Sequence, residues 1–406
     1  MTVAQTRRLL LPPMALLGIY NVTKSALKLL PPDVYSKDFL QEYLIGRALL
    51  SGINPYKPLT ELAARLLGPL PVGIFPNPSP HPPPAALLSV PLGLLGYREA
   101  ATLWLLVELT CSVLAINLLL RQFGVGPARS FLIALAIFTW NPFYQEFAVG
   151  QLTALLLLLL TCAWLALRSG RDVAGGAALG LCLALKLMGW PLIILLLWKK
   201  RWRALTSAAV VAGGLNVAAL AVMGLQTVTF YYLHVSSSVM LMYRTDPQNF
   251  SVWSVGSRLF EGTGTSEIIY SAVHAPPLYH LPALAPYASM VFACAMVGYS
   301  LRLALRVPSF DCAYAVLICC SVIINPVAWY PYLILLLVPL AIALKYFRGA
   351  KLYALIAMLF CLHLSISLGT ILPGFIAGII TLTPLIAVLL LMRLLSPPSQ
   401  ILTVGR

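Results

Sequence analysis

The chain has 406 residues, 60% of them hydrophobic and only 10% charged, with a mean hydropathy of +0.90. A soluble domain carries roughly 45–50% apolar and about 25% charged residues, so a water-soluble globule, a disordered chain, a collagen-like fibre and a disulfide scaffold are excluded and a polytopic membrane protein is left. The formal charge of +15, from 27 Lys and Arg against 12 Asp and Glu, then reads first as an orientation signal, because basic loops stay on the cytoplasmic side.

In chain order, Arg7 and Arg8 followed by Leu9 to Tyr20 have the form of a signal anchor. No small-residue cleavage site follows, so this segment is expected to stay as the first helix, over about 9–29. Further apolar segments fall at 99–120, 129–147, 151–168, 173–187, 189–198, 203–224, 283–306, 310–328, 332–346, 351–371 and 374–392. The basic clusters between them can all be cytoplasmic if 173–198 is a hairpin of two short helices turning near Lys186 to Pro191, where Gly189 and Pro191 supply a break. The short run Pro83 to Gly96 is then re-entrant or interfacial, being too short to span. Making 83–96 a true span and 173–198 one helix is the alternative, and it leaves two basic loops outside.

The expected fold is an all-α polytopic transmembrane bundle of about twelve helices with short interfacial helices in the first outer loop and both termini inside. It is read as one integral-membrane domain over 1–406, with a catalytic module at 1–224, a second long outer loop at 225–282 and C-terminal helices at 283–395. On this topology the whole +15 lies on the inner side. The eight cysteines all lie in apolar runs without a Cys-x-x-Cys pair, and are read as small hydrophobes.

Residues 30–82 and 225–282 are the long extracytoplasmic loops, and loops longer than a connection requires usually carry function. Phe39 to Leu50 reads as a short helix on the membrane surface, ended by Gly52, with Asp38 at its first turn as an N-cap.

The same stretch carries a motif: Asp38-Phe39, Arg47 nine residues after the Asp, then Leu50, Gly52, Pro55 and Tyr56. Further along come His81-Pro82-Pro83 before Leu87-Leu88 and Pro91-Leu92, then Gly150-Gln151 opening a leucine run, and Gly175-Gly176 with Lys186. Asn249-Phe250-Ser251 with Arg258, and Asn325-Pro326 with Trp329, Pro331 and Tyr332, complete the series. In this order the motifs resemble those of glycosyltransferase family 87, over roughly 35–345. These are integral-membrane enzymes of the GT-C type that include mannosyltransferases using polyprenyl-phosphate sugars. Three departures stand out. Glu42 stands where an aromatic residue is common, His81 where Tyr is usual, and Pro331 and Tyr332 at positions often held by histidines.

The resemblance implies an inverting transferase, expected to use mannose, acting on the extracytoplasmic face of a bacterial plasma membrane. Its chemistry needs a carboxylate to take the acceptor proton and cationic groups at the departing lipid phosphate. Asp38 is the expected base, with Asp33 as the fallback. Lys186 is the sharpest phosphate candidate, since a lysine at mid-membrane costs about 2.5–3.5 kcal/mol unless something compensates it; simple snorkelling is the plainer reading. Arg258, Arg244 and Arg47 are secondary contacts, unless they are merely solvated.

Gln151 and Glu146 flank an expected short outer loop at 141–150, where Gln151 could bind sugar or cap a helix. His81 and His234 are candidates to line the site, although a lone loop histidine is more often plain surface. Tyr56, Trp329 and Tyr332 form either a sugar-stacking wall or an interfacial aromatic belt. Asn249 has a motif role or is a sequon, and Glu108, mid-helix, is assigned no catalysis. No metal constellation is present, and neither a metal nor a cofactor is expected. The expected partners are a polyprenyl-phosphate sugar donor, a glycolipid or glycan acceptor and membrane lipids, with no nucleic acid, around a monomer. The rivals are a lipid or sugar transporter or flippase, and a polysaccharide polymerase or ligase. The concentration of ionisable residues in two outer loops favours an enzyme over a transporter, whose charged residues sit near the midplane.

Overall fold

Leucine-rich runs punctuated by Gly and Pro give helices that stop where those residues stop them. The computed structural model describes residues 3–31, 37–68, 74–266, 271–347, 349–362 and 364–396. Among these the α-helices, in order, are α1 Val3–Leu29, α2 Phe39–Leu50, α3 Leu59–Leu67, α4 Pro83–Gly93, α5 Tyr97–Arg121, α6 Pro127–Ile137, α7 Asn141–Val149, α8 Thr153–Arg168, α9 Asp172–Leu185 and α10 Trp190–Trp198. There follow α11 Trp202–Phe230, α12 Ser236–Met242, α13 Ser254–Phe260, α14 Ala285–Arg306, α15 Phe310–Ile324, α16 Leu337–Tyr346, α17 Ala350–Cys361, α18 Leu364–Ile371, α19 Gly374–Ile380 and α20 Thr383–Leu394. A π-helical turn, Tyr231–Val235, joins α11 to α12. The described residues contain no strand, so the all-helical expectation holds.

Among the described residues, three stretches are long and apolar enough to cross a membrane: Tyr97–Arg121, Trp202–Met242 and Pro282–Arg306. Counting each bent pair of helices as one span raises this to six. The segment expected to span 129–147 is instead two short helices, α6 and α7, separated at 138–140. Eleven residues of α6 rise only about 16 Å, roughly half a bilayer core. Pro12, Pro13, Asn21 and Lys24 interrupt the apolar run of α1, which is not among the three long spans. The expected hairpin break is present, with α9 ending at Leu185 and α10 beginning after Gly189, whose φ is +88°.

Two compact units divide the chain. The first comprises Met1–Ala163, Val173–Leu187 and Thr206–Val239. Within it α2 is buried nearly all round: Phe39 to Gly46 and Ala48 are all buried. This corrects the expectation of a helix lying on the membrane surface, which would expose a polar face. Gln41 and Glu42 point instead into the protein interior. The cause is a close crossing with α4, where a Cβ on Gly46 would collide with the Ser89 carbonyl and one on Gly93 would sit 2.6 Å from the Arg47 nitrogen. α4 is likewise half buried by this contact, not laid along an interface. Gly52, at φ +66°, closes α2, with the Ile53 N–H donating to the Ala48 carbonyl at 2.9 Å.

The second unit comprises Trp164–Asp172, Met188–Leu205 and Met240–Arg406. Its centre is α15, whose residues from Asp311 to Ile324 are all buried, as an apolar-all-round helix must be. Asp311 accepts from Trp164 Nε1 at 3.0 Å and Tyr346 Oη at 2.8 Å and pairs with Arg168 at 3.4 Å, while Arg201 pairs with Asp172. These groups, all expected on the inner side, meet within one unit. No disulfide links the cysteines, and Cys294 and Cys361 are exposed on helix faces.

Candidate active site

Asp38 ends the loop that leads into α2. Its backbone is already helical and its side chain makes no capping bond. The expected N-cap role is therefore not what holds it. Instead Gln41 Nε2, one turn on, donates to Oδ1 at 3.1 Å, and Gln151 Nε2 donates to Oδ2. Each carboxylate oxygen thus has one fixed amide partner, leaving lone pairs free for a hydroxyl.

Gln151 reaches Asp38 because the chain turns sharply between α7 and α8, whose axes differ by 120°. Gly150 makes the turn at φ +72°, and a Cβ there would lie 2.7 Å from Phe39 Cβ. Its carbonyl is held by Trp104 Nε1 at 3.1 Å, and Trp104 and Tyr97 pack on the Phe39 ring. Residues 141–149, expected to be loop, are helix α7. Glu146 on that helix is fully buried and accepts from the Ala154 N–H at 2.7 Å. One of its oxygens therefore caps α8 and does not wait for a sugar.

A second pair lies beside the first. Glu42 Oε1 contacts His81 Nδ1, and Ser89 Oγ lies 3.2 Å from Glu42 Oε2. Both members are buried, at 1% and 5% exposure. The His81 backbone is pinned too, its carbonyl accepting from Tyr56 Oη at 3.0 Å, while Tyr231 Oη donates to the Pro80 carbonyl at 2.7 Å. The Tyr56 and Tyr231 rings pack at 4.8 Å. Tyr56 is thereby a strut for the His81 loop, not an open stacking face.

Lys186, just past the end of α9, is partly exposed, and its charge acts on both Asp38 and Glu146. Burial pushes the Asp38 carboxyl above its usual range; the Gln151 bond and the charges of His81 and Lys186 pull the other way. Glu108, deep in α5, interacts electrostatically with Glu146 and Glu42. The result is a buried polar interior whose partly accessible members are Asp38 and Lys186, of opposite charge.

Other expected site residues are employed elsewhere. In the first unit, Arg47 donates to Tyr43 Oη at 2.6 Å and His234 is exposed on the π turn beside Phe230. Asp33 lies outside the described residues. In the second unit, Arg258 is fully buried and donates to the carbonyls of Ser254, Asp246, Pro247, Asn249 and Gly378 and to Thr381 Oγ1. It fixes a loop and is removed from the phosphate contacts. Burial lowers its pKa to about 10.

Asn249 is buried and bridges the carbonyls of Tyr243 and Pro326, while its Oδ1 accepts from Ser251 and Ala328 N–H groups. It is neither a glycan acceptor nor a sugar contact. Arg244 forms a two-pronged pair with Glu261. Trp329 packs edge-on to Tyr243 at 5.3 Å, and Tyr332 is buried. Among the described residues no group of three or more His, Cys, Asp and Glu could hold a metal ion.

The sequence model of glycosyltransferase family 87 matches residues 80–309, more than half of the chain. The chain belongs to glycosyltransferase family 87. The match covers His81, Gln151 and Lys186, whereas Asp38 precedes it. Two curated relatives, named alpha-(1->3)-arabinofuranosyltransferase, from two strains of Mycobacterium tuberculosis, are 34% identical over 149 residues, which is 34% of this chain and 34% of each relative. The chain thus aligns with about a third of their length. No solved structure matches significantly. Within family 87, this chain departs from the motif at Glu42 and His81, and the structure puts these two departures in contact. Their pairing, with Ser89 on Glu42, is what sequence reasoning missed; two coincident departures, one a carboxylate and one a histidine, were the available signal.

A cavity of about 560 Å³ lies in the same unit, between the turn that closes α2 and the kink of α11 at Gly224. Leu49, Ile53, Pro55, Val222, Met223 and Phe230 supply its apolar lining, and Asn54 and Gln226 polar groups.

Proposed function

We propose that this protein moves a glycosyl group from a polyprenyl-phosphate donor, with inversion, to a hydroxyl of a lipid-linked or polysaccharide acceptor on the extracytoplasmic face of a bacterial plasma membrane. The observation that carries the reading is Asp38, partly accessible, with each oxygen fixed by an amide and the Lys186 charge beside it. Asp38 takes the proton of the acceptor hydroxyl as that oxygen attacks the anomeric carbon. The bond from that carbon to the phosphate oxygen breaks on the opposite face, and Lys186 offsets the charge of the departing lipid phosphate. Family 87 membership supports the reaction class. The cavity beside α2 is of ligand size and is the proposed seat of the first prenyl units. We read the spans and shorter helices together as about twelve crossings.

Two donors stand in view: mannose from the motif resemblance, and arabinofuranose from the name of the curated relatives. The test is to incubate membranes containing the protein with labelled polyprenyl-phosphate sugars of both kinds and follow label into lipid or polymer. One donor should label a new glycoside, Asp38→Asn should abolish this with donor binding kept, and Lys186→Ala should mainly raise the donor KM. Unchanged turnover in Asp38→Asn would remove the base. Label that changes leaflet without forming a new linkage would favour a flippase.

A further inference from the structure

A helix that ends on a left-handed residue normally ends on glycine, because a Cβ is strained there. Two turns of the second unit are built to this pattern. Between α8 and α9 the Gly170 N–H donates to the Leu167 carbonyl at 3.1 Å and the Arg171 N–H to that of Ala166 at 2.9 Å, with Gly170 at φ +74°. Between α10 and α11 the Lys200 N–H donates to the Leu197 carbonyl at 3.0 Å and the Arg201 N–H to that of Leu196 at 2.9 Å. Here the left-handed position, at φ +53°, is held by Lys200, and among the described residues no other non-glycine has a positive φ. Glycine suits that backbone better, so the turn itself gives no reason for a lysine.

The side chains around Lys200 stand open. Trp198 and Trp202 are 58% and 61% exposed, and Lys199, Lys200 and Arg203 are exposed beside them. The acids that meet these turns are already taken: Asp172 pairs with Arg201 and Asp311 with Arg168. Arg201 also donates to the Leu167 carbonyl at 2.6 Å, which ties the two turns together. A cation suits the C-terminus of α10, and that alone accounts for Lys199. Arg203 has no such account. It stands in the first turn of α11, where helix N–H groups without carbonyl partners favour an anion and no acid is present.

We propose that the α10–α11 turn binds an anionic phospholipid of the surrounding bilayer, with Lys199, Lys200 and Arg203 on its phosphate and Trp198 and Trp202 set at headgroup level. Cations and the start of a helix suit the phosphate, and exposed indoles suit the headgroup layer. A free phosphate ion would meet the same cations and make no use of the indoles. The site takes no part in the transfer chemistry, so it stands or falls without the proposed function.

The test uses full-length protein in neutral detergent, titrated with short-chain phosphatidylglycerol, phosphatidylcholine or inorganic phosphate. Binding is read by native mass spectrometry and stability by thermal unfolding. Wild type should bind phosphatidylglycerol about tenfold or more tighter than phosphatidylcholine, with a raised Tm, and inorganic phosphate should leave the Tm in place. Lys200→Gly removes the strain and the charge together. It should therefore raise the Tm without lipid, yet bind phosphatidylglycerol about fivefold more weakly and lose most of the lipid-induced rise. Lys200→Arg should bind as wild type does, and Arg203→Gln should weaken binding about as much as Lys200→Gly. Phosphatidylglycerol binding unchanged in Lys200→Gly would overturn the site, as would a lower Tm of that variant without lipid, which would make Lys200 structural. Protection by inorganic phosphate as large as by lipid would overturn the lipid assignment. Should Arg203→Gln not fold, Lys200→Gly, which the backbone favours, decides alone.

Discussion

At the residue scale, burial has opposite consequences for Asp38 and Arg258. The folded-state pKa of Asp38 lies above its unfolded value. Its contribution to stability is therefore present below the unfolded carboxyl range and lost as pH rises through the folded value. At pH 7 the ionised side chain should be a net burden on the fold. Asp38→Asn is expected to raise the Tm at pH 7, and by less near pH 4, while transfer falls by about 10²–10⁴-fold. A lower Tm at pH 7 would contradict this.

Arg258 should behave in the reverse way. Arg258→Met leaves buried carbonyls without donors, at about 1–3 kcal/mol, so folded yield and Tm should fall while the donor KM of the remaining enzyme stays put. Asp38, Gln151 and Lys186 were legible because motif order and local cost single them out one at a time. Arg258 was not, because its acceptors come from residues 246–254 and 378–381, which only the tertiary fold brings to it.

At the element scale, the α2 and α4 crossing sets the site. Apolar content located both helices, but Gln41, Glu42 and Arg47 made α2 look like a surface element. What buries it is a pair of small residues, Gly46 and Gly93, which let two backbones touch. Such a pair carries no hydrophobic signal, so the crossing is invisible to periodicity. Gly46→Ala should cost about 1–3 kcal/mol, since the added carbon meets backbone that has no rotamer to yield. Thermal unfolding in detergent checks this. Activity should fall with it, because the same crossing aligns Glu42 with Ser89 and begins four residues after Asp38. A Gly46→Ala variant of unchanged Tm would show that α4 can move away.

At the scale of the molecule, charged residues far apart in sequence meet within each compact unit. Residues expected on the inner side, Arg168, Asp172, Arg201 and Asp311, pair within one unit. Those expected outside, Asp38, His81, Gln151 and Lys186, gather within the other. Helix length was not legible: apolar runs such as 129–147 read as continuous until Phe138 to Trp140 break them. Single cysteines at Lys57 and Lys200 should react with membrane-impermeant thiol reagents from opposite sides, Lys57→Cys from outside. Labelling of both from one side would overturn the proposed topology.

The π turn Tyr231–Val235 holds one residue more than an α turn would. That surplus fixes the angular phase of everything after it: Tyr231 faces inward to Pro80 while Tyr232 points out and meets Asn216. Removing one residue, His234 for instance, would let the turn relax to α and rotate the two flanking segments by about 100° relative to each other. The Tyr231 grip on the His81 loop and the course of α12 could then no longer both be kept. A chain one residue shorter would thus be mis-phased while remaining helical, with its circular dichroism intact and its activity lowered.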